Sequence, residues 1–450
     1  MPVSFRDLPA IHAVLADSKV TALPARLATT VTREVLDELR DAIRAGTLSE
    51  LPNVAGVVAE RATQLLSGRM RPVLNATGVV IHTNLGRAPW SQQAIDAAAR
   101  ASGYCNLEMS LDTGKRGGRT EGVRRLVCAL TGAEDAVVVN NCAAALLLSL
   151  TALAHGREVL ASRGELVEIG GSFRVPDIVQ AGGATLVPVG TTNRTRVGDF
   201  EASASEATAV LLTVHPSNFR IVGFTETADR VQRTELAQRL GILHVEDVGS
   251  GSWDQANGEP GVRDAVAAGV DVVVFSGDKL LGGPQCGFAV GSHSAIRRLR
   301  RHPMYRAMRL DKTLIAACEA TLALAIAGED TPVDTMLTLQ PDELGARALK
   351  LAALLEAQGV SVSVTDVQSA VGGGAMPGLG LPSKACRVSC EAVDGVIRRL
   401  RLGSPAVLAR IIDDALVLDV RTLPDSALAE VAKRVAGAVG RSYSGERPPM

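Results

Sequence analysis

The stretch DVVVFSGDKLLGGPQCGFAVG, Asp271 to Gly291, decides the fold. Val272, Val273, Val274 and Phe275 form a continuous β-branched and aromatic run, as in a strand covered on both faces. Ser276, Gly277 and Asp278 break that run and turn Lys279 to the C-terminal edge of the sheet, where open α/β folds bind ligands. A glycine-rich loop and a second strand follow. A lysine so placed is a candidate Schiff-base amine; the alternative is a loop lysine with its ammonium in water.

On either side the chain alternates strand and helix for roughly 250 residues from Asn75. AEDAVVVN runs into the helical NNCAAALLLSLTALA, and REVLAS, ATLVPVG, TAVLLTV and ILHVED follow as strand-like runs. This rhythm predicts a largely parallel sheet flanked by helices. Before it, amphipathic spacing predicts three helices. Leu8, Ile11, Val14 and Leu15 mark the first, Thr30 to about Ala45 the second, and Asn53 to Leu66 the third. Gly68, Pro72 and Gly78 read as a linker. After about Gly328, a helix at Glu343–Gln358, strands at SVSV and KACRVSC, a hairpin around Asp413 and Asp414, and a helix at Leu428–Val439 predict a small α+β unit. The expected organisation is therefore a helical domain at 1–66, a linker and α/β large domain at 67–327, and a C-terminal α+β domain at 328–450.

Composition narrows the function. Apolar residues make up 46% and charged residues 21%, which defines a globular chain, and aromatics at 3% leave few rings for base stacking. A net charge of -1 supplies no general field for polyanions, so any nucleic-acid contact needs a local patch. Seven cysteines without a CxxC pair argue against a disulfide framework and fit a reducing cytoplasm. Cys386 and Cys390 have no His or acidic cluster nearby and read as structural thiols. MPVSFRDLPAIHAVL lacks a basic-then-apolar signal pattern, and Glu319 interrupts the best apolar run, Leu314 to Ala327, so a cytoplasmic protein without membrane spans is expected.

Several residues converge on Lys279. A pyridoxal phosphate site needs a lysine for the aldehyde, an acid for the pyridine nitrogen and a helix start for the phosphate. Asp247 ends the strand ILHVED and suits the pyridine nitrogen; the alternative is a solvated acid at a strand end. Asn141, Cys142 and Ala143 open a helix and suit the phosphate, although Asn141 also reads as a plain helix cap. Ser276 adds a hydroxyl. Helix start, then Asp, then Lys is the order found in fold-type-I pyridoxal enzymes.

RPVLNATGVVIHTNLGRAP, ASRGELVEIGGSFRVPDI, VGTTNRT, HPSNFRIVGFTE, FSGDKLLGGPQCG, YRAMRLDK and LRLGSPAVLARIIDDALVLDVRTL together resemble bacterial selenocysteine synthases, the L-seryl-tRNA(Sec) selenium transferases, over nearly the whole chain. The resemblance implies a fold-type-I enzyme with pyridoxal 5'-phosphate on Lys279 and Asp278 beside it in the active site. It implies β-replacement of the hydroxyl of seryl-tRNA(Sec) through a dehydroalanyl intermediate, with selenophosphate as selenium donor. A homo-oligomeric ring of dimers, a decamer, is also implied, as is tRNA recognition by residues 1–66. Arg87 of HTNLGR and Arg306 and Arg309 of YRAMRLDK resemble the arginines that receive the anionic donor. Guanidinium forks suit oxyanions, and three-residue spacing puts Arg306 and Arg309 on one face of a helix. Two departures stand out: Cys142 replaces an expected asparagine, and Ala375 of VGGGAMPG an expected serine. A related pyridoxal ammonia-lyase acting on a small phosphorylated amino acid is the nearest rival, and a non-catalytic tRNA-binding homologue the other.

Overall fold

The computed structural model describes residues 3–68, 70–170 and 173–440. Gly171 and Ser172 of the motif GELVEIGGSFRVPDI, and the last ten residues of the expected C-terminal domain, lie outside the described residues. The chain divides into two compact units, Met1–Val73 and Leu74–Met450.

The first unit is helical. Val31, Val35, Leu36 and Leu39 on the helix Ala25–Arg44 meet Val54, Val58 and Ala62 on the helix Val54–Leu66, and Val14 and Val20 close the cluster. Asn53 caps the latter helix through the Gly56 N–H, at 3.0 Å. The predicted second helix starts earlier, at Ala25 behind Pro24, because Pro24 fits the turn before a helix. The first predicted helix is shorter than its Leu8–Leu15 pattern, spanning Ile11–Leu15, and a further short helix not read from the sequence, Ser18–Thr21, follows where Asp17 caps a new start.

The second unit is built on a seven-stranded sheet. In chain order its strands are β1 (Asp135–Val139), β2 (Glu158–Ser162), β3 (Thr185–Val189), β4 (Thr208–Val214), β5 (Leu243–Gly249), β6 (Val272–Ser276) and β7 (Gly287–Gly291). Their order across the sheet is β1-β7-β6-β5-β4-β2-β3, and β7 alone runs antiparallel to its neighbours. Helices on both faces bury β1, β6 and β7 completely, which is why these strands read as unbroken apolar runs. The six strands read from the sequence as a parallel set are all present, and Lys279 follows the end of β6.

A second sheet carries the C-terminal residues. Val362–Gly372 and Ala375–Val388 form a long hairpin, flanked on one side by Ala415–Asp419 and its hairpin partner Arg410–Ile412. The two-residue turn at Asp413 and Asp414 has φ of 46° and 55°, the left-handed geometry of a tight hairpin. On the other side Val79–Ile81 joins as a parallel edge strand. Gly78, read as linker, therefore lies inside the second unit, packed against Asp419 and Ser369.

Candidate active site

Strand ends place the chemistry. Asn140–Asn141 follow β1, His215 follows β4, Asp247–Gly249 close β5 and Ser276 closes β6, all on the C-terminal edge. Lys279 is 6% exposed, so its ammonium is not in bulk water and the surface-lysine alternative fails. Asp247 is 7% exposed on the adjacent strand. Burial pushes its carboxyl up to about 6, against the pull of the Lys279 charge. Cys142 Sγ lies 3.5 Å from Asp247 Oδ1, and burial together with the nearby Asp247 carboxylate drives that thiol far above its ordinary value. Cys142 is thus a neutral donor to Asp247 rather than a nucleophile.

Between Asp247 and Lys279 the wall is backbone. Gly249 has φ of 65°, and a Cβ there would stand 3.7 Å from Asp247 Oδ1 and 4.0 Å from Lys279 Nζ. From the opposite side the tip of the C-terminal hairpin, Gly372–Gly374, reaches the lysine. A Cβ on Gly374 would lie 3.8 Å from Lys279 Nζ and 3.3 Å from Ser217 Oγ. Ser217 Oγ is buried and has no hydrogen-bond partner among the described residues. A buried orphan hydroxyl and a glycine-walled gap beside a lysine are what a planar, hydrogen-bonding group would fill.

Asn141 resolves into the helix-cap role. Its side chain accepts from the Ala144 N–H at 2.8 Å and opens the helix Cys142–Ala154. The N–H groups of Cys142 and Ala143 have no intrahelical partner by helix geometry, so the positive helix end stays available to an anion. Ser276 is buried at the end of β6. Asp278 is buried and accepts from Arg87 Nη1 at 2.9 Å, and its carbonyl accepts from the Ala88 N–H. Arg87 itself stands at φ 66°, a left-handed conformation rare outside glycine.

The structure thus gathers Lys279, Asp247, Cys142, Ser276, Asp278 and Arg87. Arg306 and Arg309 instead line a separate cavity of about 550 Å³ with Glu108, Arg116 and Arg119, to which none of the gathered residues contributes. The shared-helix-face expectation for them fails. The helix ends at Ala307, and Arg309 lies beyond it, bonded to Glu108 at 2.5 Å.

Three further groups escaped the sequence reading. His215 follows β4, and its Nε2 lies 3.4 Å from Oε1 of Glu259, whose carboxylate is wholly buried. Burial pushes that carboxyl up, but the His215 and Ser250 side chains and the Met376 N–H outweigh it and hold Glu259 below its ordinary range. Glu259 so ties the hairpin tip to the end of β4. His215 and Ser217 had a signal, because HPS directly follows the strand TAVLLTV. Glu259 had none.

A parallel sheet with one reversed strand, a buried lysine after β6 and an acid at the end of β5 define a fold-type-I pyridoxal-phosphate enzyme. The architecture is similar to that of D-glucosaminate-6-phosphate ammonia-lyase, with a TM-score of 0.60 and 23% identity over 87% of this chain and all of that one, a likeness of fold alone. Sequence similarity is more specific. The L-seryl-tRNA selenium transferase (SelA) family profile matches residues 73–424. The L-seryl-tRNA(Sec) selenium transferase of Solidesulfovibrio magneticus is 46% identical over 96% of this chain and 98% of its own, and that of Hyphomonas neptunium 44% over 94% and 96%. The chain belongs to the L-seryl-tRNA selenium transferase family.

Proposed function

We propose that this protein converts seryl-tRNA(Sec) to selenocysteinyl-tRNA(Sec), exchanging the seryl β-hydroxyl for selenium from selenophosphate, with pyridoxal 5'-phosphate on Lys279. The burial of Lys279 and Asp247 beside a glycine-walled gap carries this reading, together with family membership. Lys279 would hold the cofactor aldehyde, Asp247 its pyridine nitrogen, Ser217 or Ser276 a polar substituent, and the N–H groups of Cys142 and Ala143 its phosphate. When bound, the cofactor supplies an electron sink for the carbanion at the seryl α-carbon.

The residues of the chain do the rest. Lys279 Nζ would take the α-proton of the bound seryl group as general base. The same ammonium can return a proton to the β-oxygen, so that the hydroxyl leaves as water. Arg87 fixes the Asp278 carboxylate beside this exchange and keeps further N–H donors for an oxyanion. Arg306 and Arg309 gather the anionic donor in their cavity, where Glu108 offsets part of the charge. Replacing Arg306 with alanine is expected to slow selenium incorporation at least about tenfold while sparing loss of the seryl hydroxyl. Single-turnover assays that follow both steps test this; an equal fall in both would assign Arg306 to the tRNA or the fold.

Residues 1–66 serve as the tRNA-recognition domain, residues 67–327 carry the cofactor and residues 328–450 cover it. Within the first unit, Arg40, Arg44 and Arg61 are paired with Asp37, Asp41 and Glu38. Arg26 and Arg33 sit two turns apart on the helix Ala25–Arg44 and make no ion pair among the described residues, a local basic stripe for a phosphate backbone. Deleting residues 1–66 is expected to leave cofactor attachment intact and to remove discrimination between tRNA(Sec) and other seryl-tRNAs. Unchanged selectivity in competition assays would move recognition to the second unit. The assembly proposed is a homo-oligomeric ring of dimers. No helix among the described residues is long and apolar enough to cross a membrane, and seven free thiols suit a cytoplasmic reaction.

A further inference from the structure

The loop from Ser250 to Gly261, between β5 and the helix Val262–Ala267, touches both sides of the lysine site. On one side the Ser250 carbonyl accepts the N–H of Leu280, the residue after Lys279, at 3.0 Å. A Cβ on Gly251 would stand 2.5 Å from the Ser276 carbonyl, so the loop lies directly on the end of β6. Further on, Ala256 and Glu259 exchange backbone hydrogen bonds of 2.8 and 3.2 Å. Asn257 and Gly258 between them, at φ of 50° and 85°, make a tight turn. The Glu259 side chain that follows this turn is wholly buried.

On the other side Glu259 meets the tip of the C-terminal hairpin. Its Oε1 accepts the Met376 N–H, and among the described residues this is the only hydrogen bond that residues 373–378 make outside their own hairpin. Met376 stands at φ 48°, a left-handed conformation that a non-glycine residue keeps only where its surroundings fix it. Ala375 beside it is buried with Ile81, Leu280 and Val371, so the tip has one apolar anchor and one polar one. The roof they hold is backbone, with Gly374 facing Lys279 Nζ.

We infer that Glu259 is a positioning residue, a latch that sets the hairpin tip over Lys279 and closes the reacting centre to water. The inference rests on the proposed cofactor at Lys279. A buried carboxylate suits the task, because a hydrogen bond to an ionised acceptor is roughly twice as strong as a neutral one. The need is chemical. Between departure of the seryl hydroxyl and arrival of selenium, water is the competing nucleophile, and a roof this close to the amine leaves it little room. His215 Nε2, 3.4 Å from the same oxygen, offers a different role, that of a carboxylate orienting an imidazole. That role would leave the strained tip at Met376 without a holder.

The full-length protein loaded with pyridoxal phosphate is compared with Glu259→Ala and Glu259→Gln. In Glu259→Ala, amide exchange of a peptide covering Met376 is expected to quicken about ten- to hundredfold, the loss of one charge-assisted hydrogen bond. Peptides of β5 and β6 should keep their protection. Borohydride should reduce the cofactor at Lys279 several-fold faster. Turnover, kcat, should fall about tenfold with KM for seryl-tRNA within about twofold, since the roof acts at the reacting centre and not on the tRNA. Glutamine keeps an oxygen for the Met376 N–H, so Glu259→Gln should restore most of each loss. Unchanged exchange at Met376, or an unchanged reduction rate, in Glu259→Ala overturns the inference. So does exchange quickened equally in β5 and β6, which would make Glu259 a support of the core. A Glu259→Gln protein as impaired as Glu259→Ala also overturns it and gives the carboxylate to His215. A wild type that borohydride does not label at Lys279 would count against the proposed cofactor site, while exchange at Met376 would still decide for or against the latch.

Discussion

Replacing Lys279 with alanine is expected to abolish the visible absorbance of the lysine-bound cofactor and to lower turnover by at least about 10³-fold, since covalent attachment and proton transfer are lost together. The fold should survive. Lys279 follows β6 in a loop, and the strand before it is held by buried valines. Its removal also takes away the charge that opposes the burial of Asp247, so that carboxyl should titrate above its present value of about 6. Lys279→Arg separates the two losses, because it keeps a cation near Asp247 but offers no amine for the aldehyde. Borohydride treatment and peptide mass analysis give the decisive measurement. A reduced cofactor still attached to the Lys279→Ala chain would place the attachment lysine elsewhere.

Asp247→Asn should produce opposite effects on stability and activity. Asp247 is ordinarily ionised above 3.8 but is pushed up to about 6 by burial. A carboxyl raised in this way favours the fold fully at pH below 3.8, and that contribution is lost as pH rises through about 6. At pH 8 the charged form therefore costs the cofactor-free protein about 3 kcal/mol, an upper figure for a group this buried. Asparagine keeps the acceptor for Cys142 and removes the charge. The cofactor-free variant should then be more stable than wild type by up to about 3 kcal/mol at pH 8, with no gain at pH 4. With the cofactor bound the ranking should reverse, because the ionised carboxylate finds its partner in the pyridine nitrogen. Turnover should fall about 10²–10⁴-fold. Urea melts at pH 4, 6 and 8, with and without pyridoxal phosphate, decide the matter. An equal gain at pH 4 and pH 8 would show that the charge is not what Asp247 contributes.

The stability penalty and the catalytic role have one origin. In the proposed site, a carboxylate buried beside backbone and a neutral thiol is destabilised while the cofactor is absent and would be satisfied by the pyridine nitrogen. The orphan hydroxyl of Ser217 fits the same pattern.

The sheet was legible in the sequence because strands buried on both faces must be apolar throughout. DAVVV, TAVLLTV and VVVFS announce themselves, and the polar residues at their ends mark the ligand edge. Lys279, Asp247 and the start of the helix at Cys142 follow from that edge alone, since Lys279 and Cys142 stand three residues beyond a strand and Asp247 two residues before the end of one. Hairpin and cap chemistry were equally local, as at Asp413–Asp414 and Asn141. Tertiary structure decided whatever depended on distant segments meeting. Glu259 sits in a loop with no periodicity, and only the fold brings it between His215 and the Met376 N–H. Gly372–Gly374 offers no side chain for a sequence pattern to place, yet the hairpin carries it to Lys279, where a side chain at Gly374 would press on Ser217. Arg306 and Arg309 had the right chemistry and spacing for one helix face, but the helix stops at Ala307 and Glu108 claims Arg309. Local pattern dictates which residues reach a strand end; which other strand end, loop or hairpin tip they find there is set by packing over hundreds of residues, and no window of sequence contains it.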